Sequence, residues 1–333
     1  MKIQLLIALN DRDYAEHLSG EISGHYADSF EVALCSDTER LSSVLLSRRF
    51  DVALFDTAFI KLADLSRVRL PLVLFSDYDS YDDDYNDVKA IKKYQRISKL
   101  TSSIMGEFAE ITPEMRGIES GKARIAAFWS PSGGSGKTTA AVSYAIRKAS
   151  EGKKTLYLDL EAFSSVDMLF EDKGESISSI FGKLESNLPL LIQSIRQEDK
   201  EFGIYYFGKP GNYDDLDVLE SDGIEKLVRA CSEVCDILVV DLSSSYNEKI
   251  RYILESADEV FAVVDGSKAS ENKWQQFVFQ HDLYEKIRGK LCLVGNKNAK
   301  CSSTQAERVA VLPKIQSNDP RAICKTISVN CTL

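Results

Sequence analysis

No apolar run in this 333-residue chain approaches the ~18 residues needed to cross a bilayer, so no membrane-spanning helix and no direct membrane insertion are expected. The opening nine residues are too short for a secretion signal with its cleavage site, and are expected as a first strand. Positive charge is scarce: 41 Lys and Arg stand against 51 Asp and Glu, a net charge of −10. Nucleic acid and anionic membranes attract basic patches, so a chain of this sign is a poor general binder of either, and no nucleic-acid partner is expected. The seven cysteines (Cys35, Cys231, Cys235, Cys292, Cys301, Cys324 and Cys331) contain no Cys-x-x-Cys pair. Cys231 and Cys235 fit one helix face as packing residues, with no second ligand pair to complete a zinc site. The scatter and odd count suit a reducing compartment, and a cytoplasmic location is expected. No internal repeat is present. The acidic stretch 77–87 lacks the ligand spacing and glycine of a calcium-binding EF-hand, and is expected as a solvated loop.

What is present points to an α/β protein of two domains. The length exceeds one ordinary domain, and 44% apolar residues supply sizeable cores. Apolar strand patterns over 2–9, 30–35, 51–56, 70–76 and 90–94 alternate with helical patterns from 10 to about 23 and over 38–49. That rhythm predicts a parallel sheet with helices on its faces in a first domain, 1–97. Residues 98–122 are polar and punctuated by Gly106, Pro113, Gly117 and Gly121, and are expected as a connecting helix and linker. A second, larger domain, 123–333, has longer apolar strands, expected over 124–129, 155–160, 203–207, 236–241, 259–265 and 290–296. Their near-continuous apolar runs predict a sheet buried on both faces.

The chemistry concentrates at Ser130, Pro131, Ser132, Gly133, Gly134, Ser135, Gly136, Lys137, Thr138 and Thr139. The glycines permit the backbone angles that turn successive N–H groups toward one anion. Lys137 brings a positive charge to the β- and γ-phosphates, and Thr138 offers a hydroxyl to Mg²⁺. An amphipathic helix over 137–150 adds the positive end of its dipole. Such a segment between a strand and a helix predicts a phosphate-binding loop for ATP with Mg²⁺. Asp241 ends an apolar strand, where a carboxylate holds Mg²⁺ beside Thr138. Asp159 and Glu161 end another and are candidates to orient water or metal. Lys137, Asp159, Glu161 and Asp241 are therefore the catalytic candidates. Asn296 ends the last clear strand, where its amide is expected to read an adenine edge. All fall at strand carboxyl ends, the edge where open parallel sheets bind ligands.

With these residues, and with the segments 152–161, 235–241 and 257–264, the chain resembles the MinD/ParA group of deviant Walker ATPases. More closely it resembles their TadZ/CpaE branch, which joins an atypical receiver domain to such an ATPase domain. The resemblance covers most of 123–315. It implies a doubly wound P-loop NTPase fold preceded by a flavodoxin-like, receiver-type domain. It also implies a nucleotide-dependent homodimer that localises or assembles a Tad (Flp, type IV-like) pilus or secretion machine, recruited through partners to the cell pole or the inner face of the membrane. Three departures imply binding with slow turnover or none. Ser132 stands where the family's signature lysine reaches across the dimer, and losing one positioned transition-state charge costs on the order of 10²–10³ in rate. Glu161 stands where an aspartate is usual. Ser243, Ser244 and Ser245 follow Asp241 without the glycine or proline of many switch loops. The basic amphipathic membrane-targeting tail of MinD is absent from 314–333.

Against a phospho-receiver, the matching positions of the first domain are Asp11 (beside Asn10), Asp56, Ser76 and Lys93. The acidic stretch 77–87 would repel an incoming acyl phosphate, so an interaction module is expected rather than a phosphorylation switch. The competing readings are a phosphorylation-controlled regulator with an ATPase-like dimerisation domain, and a ParA-like partitioning ATPase acting on DNA. The latter needs a basic surface, whereas the dense basic clusters (Arg48-Arg49, Lys92-Lys93 and Lys153-Lys154) are short and scattered.

Overall fold

A computed structural model describes residues 2–76, 88–112, 123–171, 174–299, 306–330 and 333. The expected acidic loop 77–87 and the part of the expected linker at 113–122 lie outside the described residues. The chain divides into two compact units, Met1–Glu114 and Met115–Leu333. Among the described residues no helix is long and apolar enough to cross a membrane.

The first unit runs β1 (Ile3–Ala8), α1 (Arg12–His25), β2 (Phe30–Cys35), α2 (Thr38–Ser47), β3 (Phe50–Phe55), α3 (Thr57–Ile60), β4 (Val68–Phe75), β5 (Lys89–Lys92) and α4 (Ile97–Ile111). Its strands pair in parallel in the order β2-β1-β3-β4-β5, the flavodoxin-like doubly wound order. Leu5, Leu6, Ile7, Val52, Ala53 and Leu54 are fully buried, as central strands covered on both faces require. Aspartates start three of the helices: Asp11, Asp37 and Asp56 accept the N–H of Tyr14, Glu39 and both Ala58 and Phe59.

The expected connecting helix is corrected here. Residues 97–111 belong to the first unit, because Leu100, Ile104, Met105 and Phe108 form a stripe at helical spacing that is buried against β3, β4 and α1. The Arg69 guanidinium lies over the Phe108 ring, 5.4 Å from its centre. Gly106 sits inside this helix rather than punctuating a linker.

The second unit begins with β6 (Arg124–Trp129), α5 (Lys137–Ser150), β7 (Thr155–Leu160), α6 (Val166–Leu169), α7 (Leu188–Ile195), β8 (Gln197–Asp199), β9 (Ile204–Tyr206) and α8 (Ser221–Ser232). It continues with β10 (Ile237–Leu242), α9 (Glu248–Ser256), β11 (Glu259–Val264), α10 (Lys268–Phe279), α11 (His281–Ile287), β12 (Leu291–Gly295), β13 (Arg308–Val311) and α12 (Pro320–Asn330). The sheet order is β13-β12-β11-β6-β10-β7-β9-β8, parallel throughout except for the β8–β9 pair. Strands β10, β11 and β12 are buried along their whole length. Phe128 and Phe261 stack at 4.6 Å under Tyr144 of α5. Ala140, Ala141 and Ala145 keep α5 close to the sheet, and α12 lies against α5 with Cys324 and Ile327 inward. Arg321 fastens α12 by hydrogen bonds to Asp199, Glu201 and the Leu169 carbonyl.

Phe108→Ala should destabilise the first unit by about 3–5 kcal/mol, the cost of emptying a large aromatic site. Hydrogen exchange in β3 and β4 measures it. A loss below about 1 kcal/mol, ordinary for a surface change, would place the helix outside this core.

Candidate functional site

The loop between β6 and α5 is shaped by two glycines that take positive φ, Gly134 at 72° and Gly136 at 94°. Ser130 Oγ accepts the Ser132 N–H at 3.0 Å and braces the entry to the loop. No side chain caps the N-terminus of α5, so its first-turn N–H groups are left for another acceptor. Lys137, in the first turn, is only 5% exposed. Its ammonium donates to Ser244 Oγ at 2.9 Å and pairs with Glu161 Oε1 at 3.2 Å. The loops after β6, β7 and β10 therefore meet at one charge.

The parallel register of β7 and β10 sets Asp159 beside Asp241. Oxygens of Asp159, Glu161 and Asp241 lie within 4.8 Å of one another. Asp159 accepts the Glu161 N–H at 2.8 Å and the Ser164 hydroxyl at 2.6 Å, and Asp241 Oδ2 accepts the Tyr157 hydroxyl at 2.9 Å. Burial is the main cause that pushes the Asp159 carboxyl up to about 6; the Glu161 charge adds to it, while Ser164, the Glu161 N–H and Lys137 oppose it. Burial, then the charges of Asp159 and Glu161, raises Asp241 well above the usual carboxylate range, against the opposing pull of Thr138 and Tyr157.

Three buried side-chain oxygens or nitrogens lack a hydrogen-bond partner among the described residues: Ser132 Oγ, Ser135 Oγ and Asp241 Oδ1. All three belong to this site, where unpartnered polar atoms mark room for a ligand. The all-oxygen donor set suits a hard cation such as Mg²⁺, and the orphaned Asp241 Oδ1 fits that use. Thr138 and Thr139 are half-buried in the first turn of α5, and Gly133 and Gly134 are exposed.

Asn296 is tied to the phosphate loop. It is buried immediately after β12, and its amide donates to the Ser135 carbonyl at 2.9 Å, while its Oδ1 accepts the Lys297 N–H at 2.8 Å. The side chain is turned to the phosphate loop, because the sheet places β12 close enough for it to meet Gly136 at the α-carbon. Sequence reasoning missed Ser244 and Tyr157 as partners of Lys137 and Asp241. Their only sequence signal was position: one follows Asp241 by three residues, and the other precedes Asp159 by two.

In the first unit, Asp11 and Lys93 come together, with Nζ and Oδ2 3.1 Å apart. Lys93 also lies 4.9 Å from the ring centres of both Tyr14 and Tyr94, and the Tyr94 hydroxyl donates to Asp11. Tyr94 takes the left-handed φ of 60° in doing so. The Tyr14 N–H and then Lys93 hold Asp11 below its ordinary pKa. Burial pulls Lys93 down, but its bonds to Tyr94 and Asp11 outweigh this and raise it. Asp56 is taken up by backbone: Oδ1 accepts from Ala58 and Phe59, and Oδ2 accepts from Asn10 at 2.6 Å. Ser76 directly follows β4.

Family models and curated proteins gave no match to the chain. Solved structures did. A ParA family ATPase from Chlorobium tepidum TLS matches with a TM-score of 0.52 at 18% identity, over 62% of this chain and 97% of that one. The cell division ATPase MinD of Pyrococcus furiosus gives a TM-score of 0.45 at 13% identity, over 62% and 98%. A cobyrinic acid a,c-diamide synthase from Mycobacterium smegmatis, solved with ADP and magnesium, gives 0.46 at 16%, over 62% and 93%. The first likeness shows a ParA-like P-loop ATPase fold in this chain; at such identity it shows the fold alone.

The raised Asp159 gives a signed pH effect. Folded, the carboxyl titrates near 6; unfolded, near 3.8. The folded state holds the extra proton between these values, so stability falls as pH rises through that window and the penalty is complete above it. Asp159→Asn should therefore melt higher than wild type above pH 6, by on the order of 1–3 kcal/mol. The gain should shrink toward pH 4. A pH-independent difference between the two melting curves would assign the proton elsewhere.

Proposed function

We propose that the second unit binds Mg-ATP and acts as a localisation or assembly factor with slow turnover or none. The observation that carries this reading is the convergence at one sheet edge. There the phosphate loop, the buried Lys137, three carboxylates and three unpartnered polar oxygens meet. Thr138 and Asp241 would hold Mg²⁺, with Asp159 and Glu161 alongside. The ion would neutralise phosphate charge and relieve the crowding of the carboxylates. Lys137 would serve the β- and γ-phosphates, and the glycines and serines of the loop would supply N–H and hydroxyl donors.

Slow turnover follows from Ser132. Its short side chain is buried, so this position offers no cation to a second copy of the chain. The resemblance to the TadZ/CpaE branch supports a homodimer serving a Tad (Flp, type IV-like) pilus or secretion machine, acting in the cytoplasm and recruited to the pole through partners. The ParA-like fold is compatible with that assignment. The first unit is the interaction module of this arrangement. The bonds of Asp56 to three backbone N–H groups, and of Lys93 to Asp11, support an interaction role over phosphoryl transfer.

Mg-ATP at about 100 times its Kd should raise stability by about 2.7 kcal/mol, read as a shift in Tm. Lys137→Ala should abolish the shift, and a wild type that shows none would end the nucleotide reading. For the first unit, incubation with a small acyl-phosphate donor should leave the mass of the Asp56 peptide unchanged. A phosphoryl adduct there would instead support the phosphorylation-controlled regulator.

A further inference from the structure

Asn296 is held through both its backbone and its side chain. Its N–H donates to the Val264 carbonyl at 2.8 Å, its carbonyl accepts from Ala299 at 3.0 Å, and its Oδ1 accepts from Lys297. Its amide nitrogen reaches Ser135, 161 residues away in sequence. The two residues that follow, Lys297 and Asn298, both take left-handed φ, 55° and 63°. Such strain persists only where the surroundings hold it, and the bond from Asn298 N–H to the Leu312 carbonyl at 2.8 Å does so. The turn is thus held in a costly shape that delivers one amide to the phosphate loop.

The loop is shaped to receive it. A Cβ on Gly136 would lie 2.1 Å from Asn296 Nδ2, so the amide rests directly on the glycine α-carbon. No peptide bond among the described residues is cis. In a trans peptide the N–H points opposite the C=O, so turning the Ser135 carbonyl to Asn296 aims the Gly136 N–H the other way. One long-range bond thereby sets the direction of a donor in a glycine-rich segment. That segment would otherwise lose the most conformational entropy on ordering around a ligand.

Resting on the nucleotide reading above, we propose that Asn296 is a positioning residue that presets the phosphate loop. Its contribution then goes to the polyphosphate, which is common to every nucleoside triphosphate.

Calorimetry with Mg-ATP, Mg-GTP and Mg-tripolyphosphate tests this on wild type, Asn296→Ala and Asn296→Asp. The aspartate fills the same space and keeps an acceptor for the Lys297 N–H but cannot donate to Ser135. Both variants should weaken all three ligands by a common factor, on the order of ten- to a hundredfold. Weaker nucleotide binding with tripolyphosphate unaffected, a changed ATP-to-GTP ratio, or no change at all would each overturn the proposal. Should a variant fail to fold, the side-chain amide resonances of Asn296 in ¹⁵N-labelled wild type give a second measurement. They should shift alike with tripolyphosphate, ATP and GTP, and a difference between ATP and GTP would overturn the proposal. A wild type that binds none of the three ligands overturns the nucleotide reading itself, and this proposal with it.

Discussion

Three carboxylates with oxygens inside 4.8 Å repel one another, and the second unit is arranged around what offsets that repulsion. Lys137 supplies a full positive charge through Glu161 at 3.2 Å. Tyr157 and Ser164 donate hydroxyl hydrogen bonds to Asp241 and Asp159. Burial first, and then the repulsion these leave over, is expressed as protonation: Asp159 and Asp241 both titrate above the ordinary carboxylate range. A divalent cation would complete the compensation, which is why the donor chemistry and the electrostatics lead to the same ligand. The fold makes the crowding unavoidable, because the register of two parallel strands fixes Asp159 beside Asp241.

The same lysine links the loops. Ser244 lies in the segment after β10, and the neighbouring Ser245 carbonyl accepts the indole N–H of the buried Trp129 at 3.3 Å. Ser243 and Ser245 share a hydrogen bond at 2.6 Å. A segment that lacks glycine and proline is thus held by its serines to the strand before the phosphate loop and to the first residue of the helix after it. A phosphate that drew on Lys137 would compete with Ser244 and Glu161 for one ammonium, so phosphate binding and the arrangement of these loops are coupled through a single charge.

The phosphate loop was legible in the sequence because its requirements are local: glycines at positive φ, a lysine and hydroxyls in one run, with an apolar strand before and an amphipathic helix after. Asp159 and Asp241 were legible as strand-end acids, though not as a crowded pair, since pairing depends on strand order. The bonds of Asn296 to Ser135 and of Lys137 to Ser244 join residues 161 and 107 apart, and no pattern within one element encodes them. Strands β8 and β13 escaped for another reason. One is three polar residues with no apolar run, and the other is a short segment, Arg308–Val311, mostly facing solvent, shorter than the long buried strands beside it. The helix over 97–111 did carry its signal, in Leu100, Ile104, Met105 and Phe108. There Gly106, a poor helix former, interrupts the sequence pattern of the stripe around it.

The two units show why an acid at the end of a strand says little by itself. Asp56 and Asp241 occupy comparable places, each near the carboxyl end of a buried parallel strand. Asp56 has both oxygens taken, one by two N–H groups of α3 and one by Asn10, and its half-buried side chain works as a cap and a tie between turns. Freeing an oxygen for a phosphoryl group would take an acceptor away from these backbone donors. Asp241 is fully buried and keeps one oxygen without a partner, and the other two such atoms among the described residues stand in the facing loop. Among the described residues the three unpartnered buried polar atoms stand together, which puts that cost of desolvation at one place. That cost is recovered only when something polar is bound there.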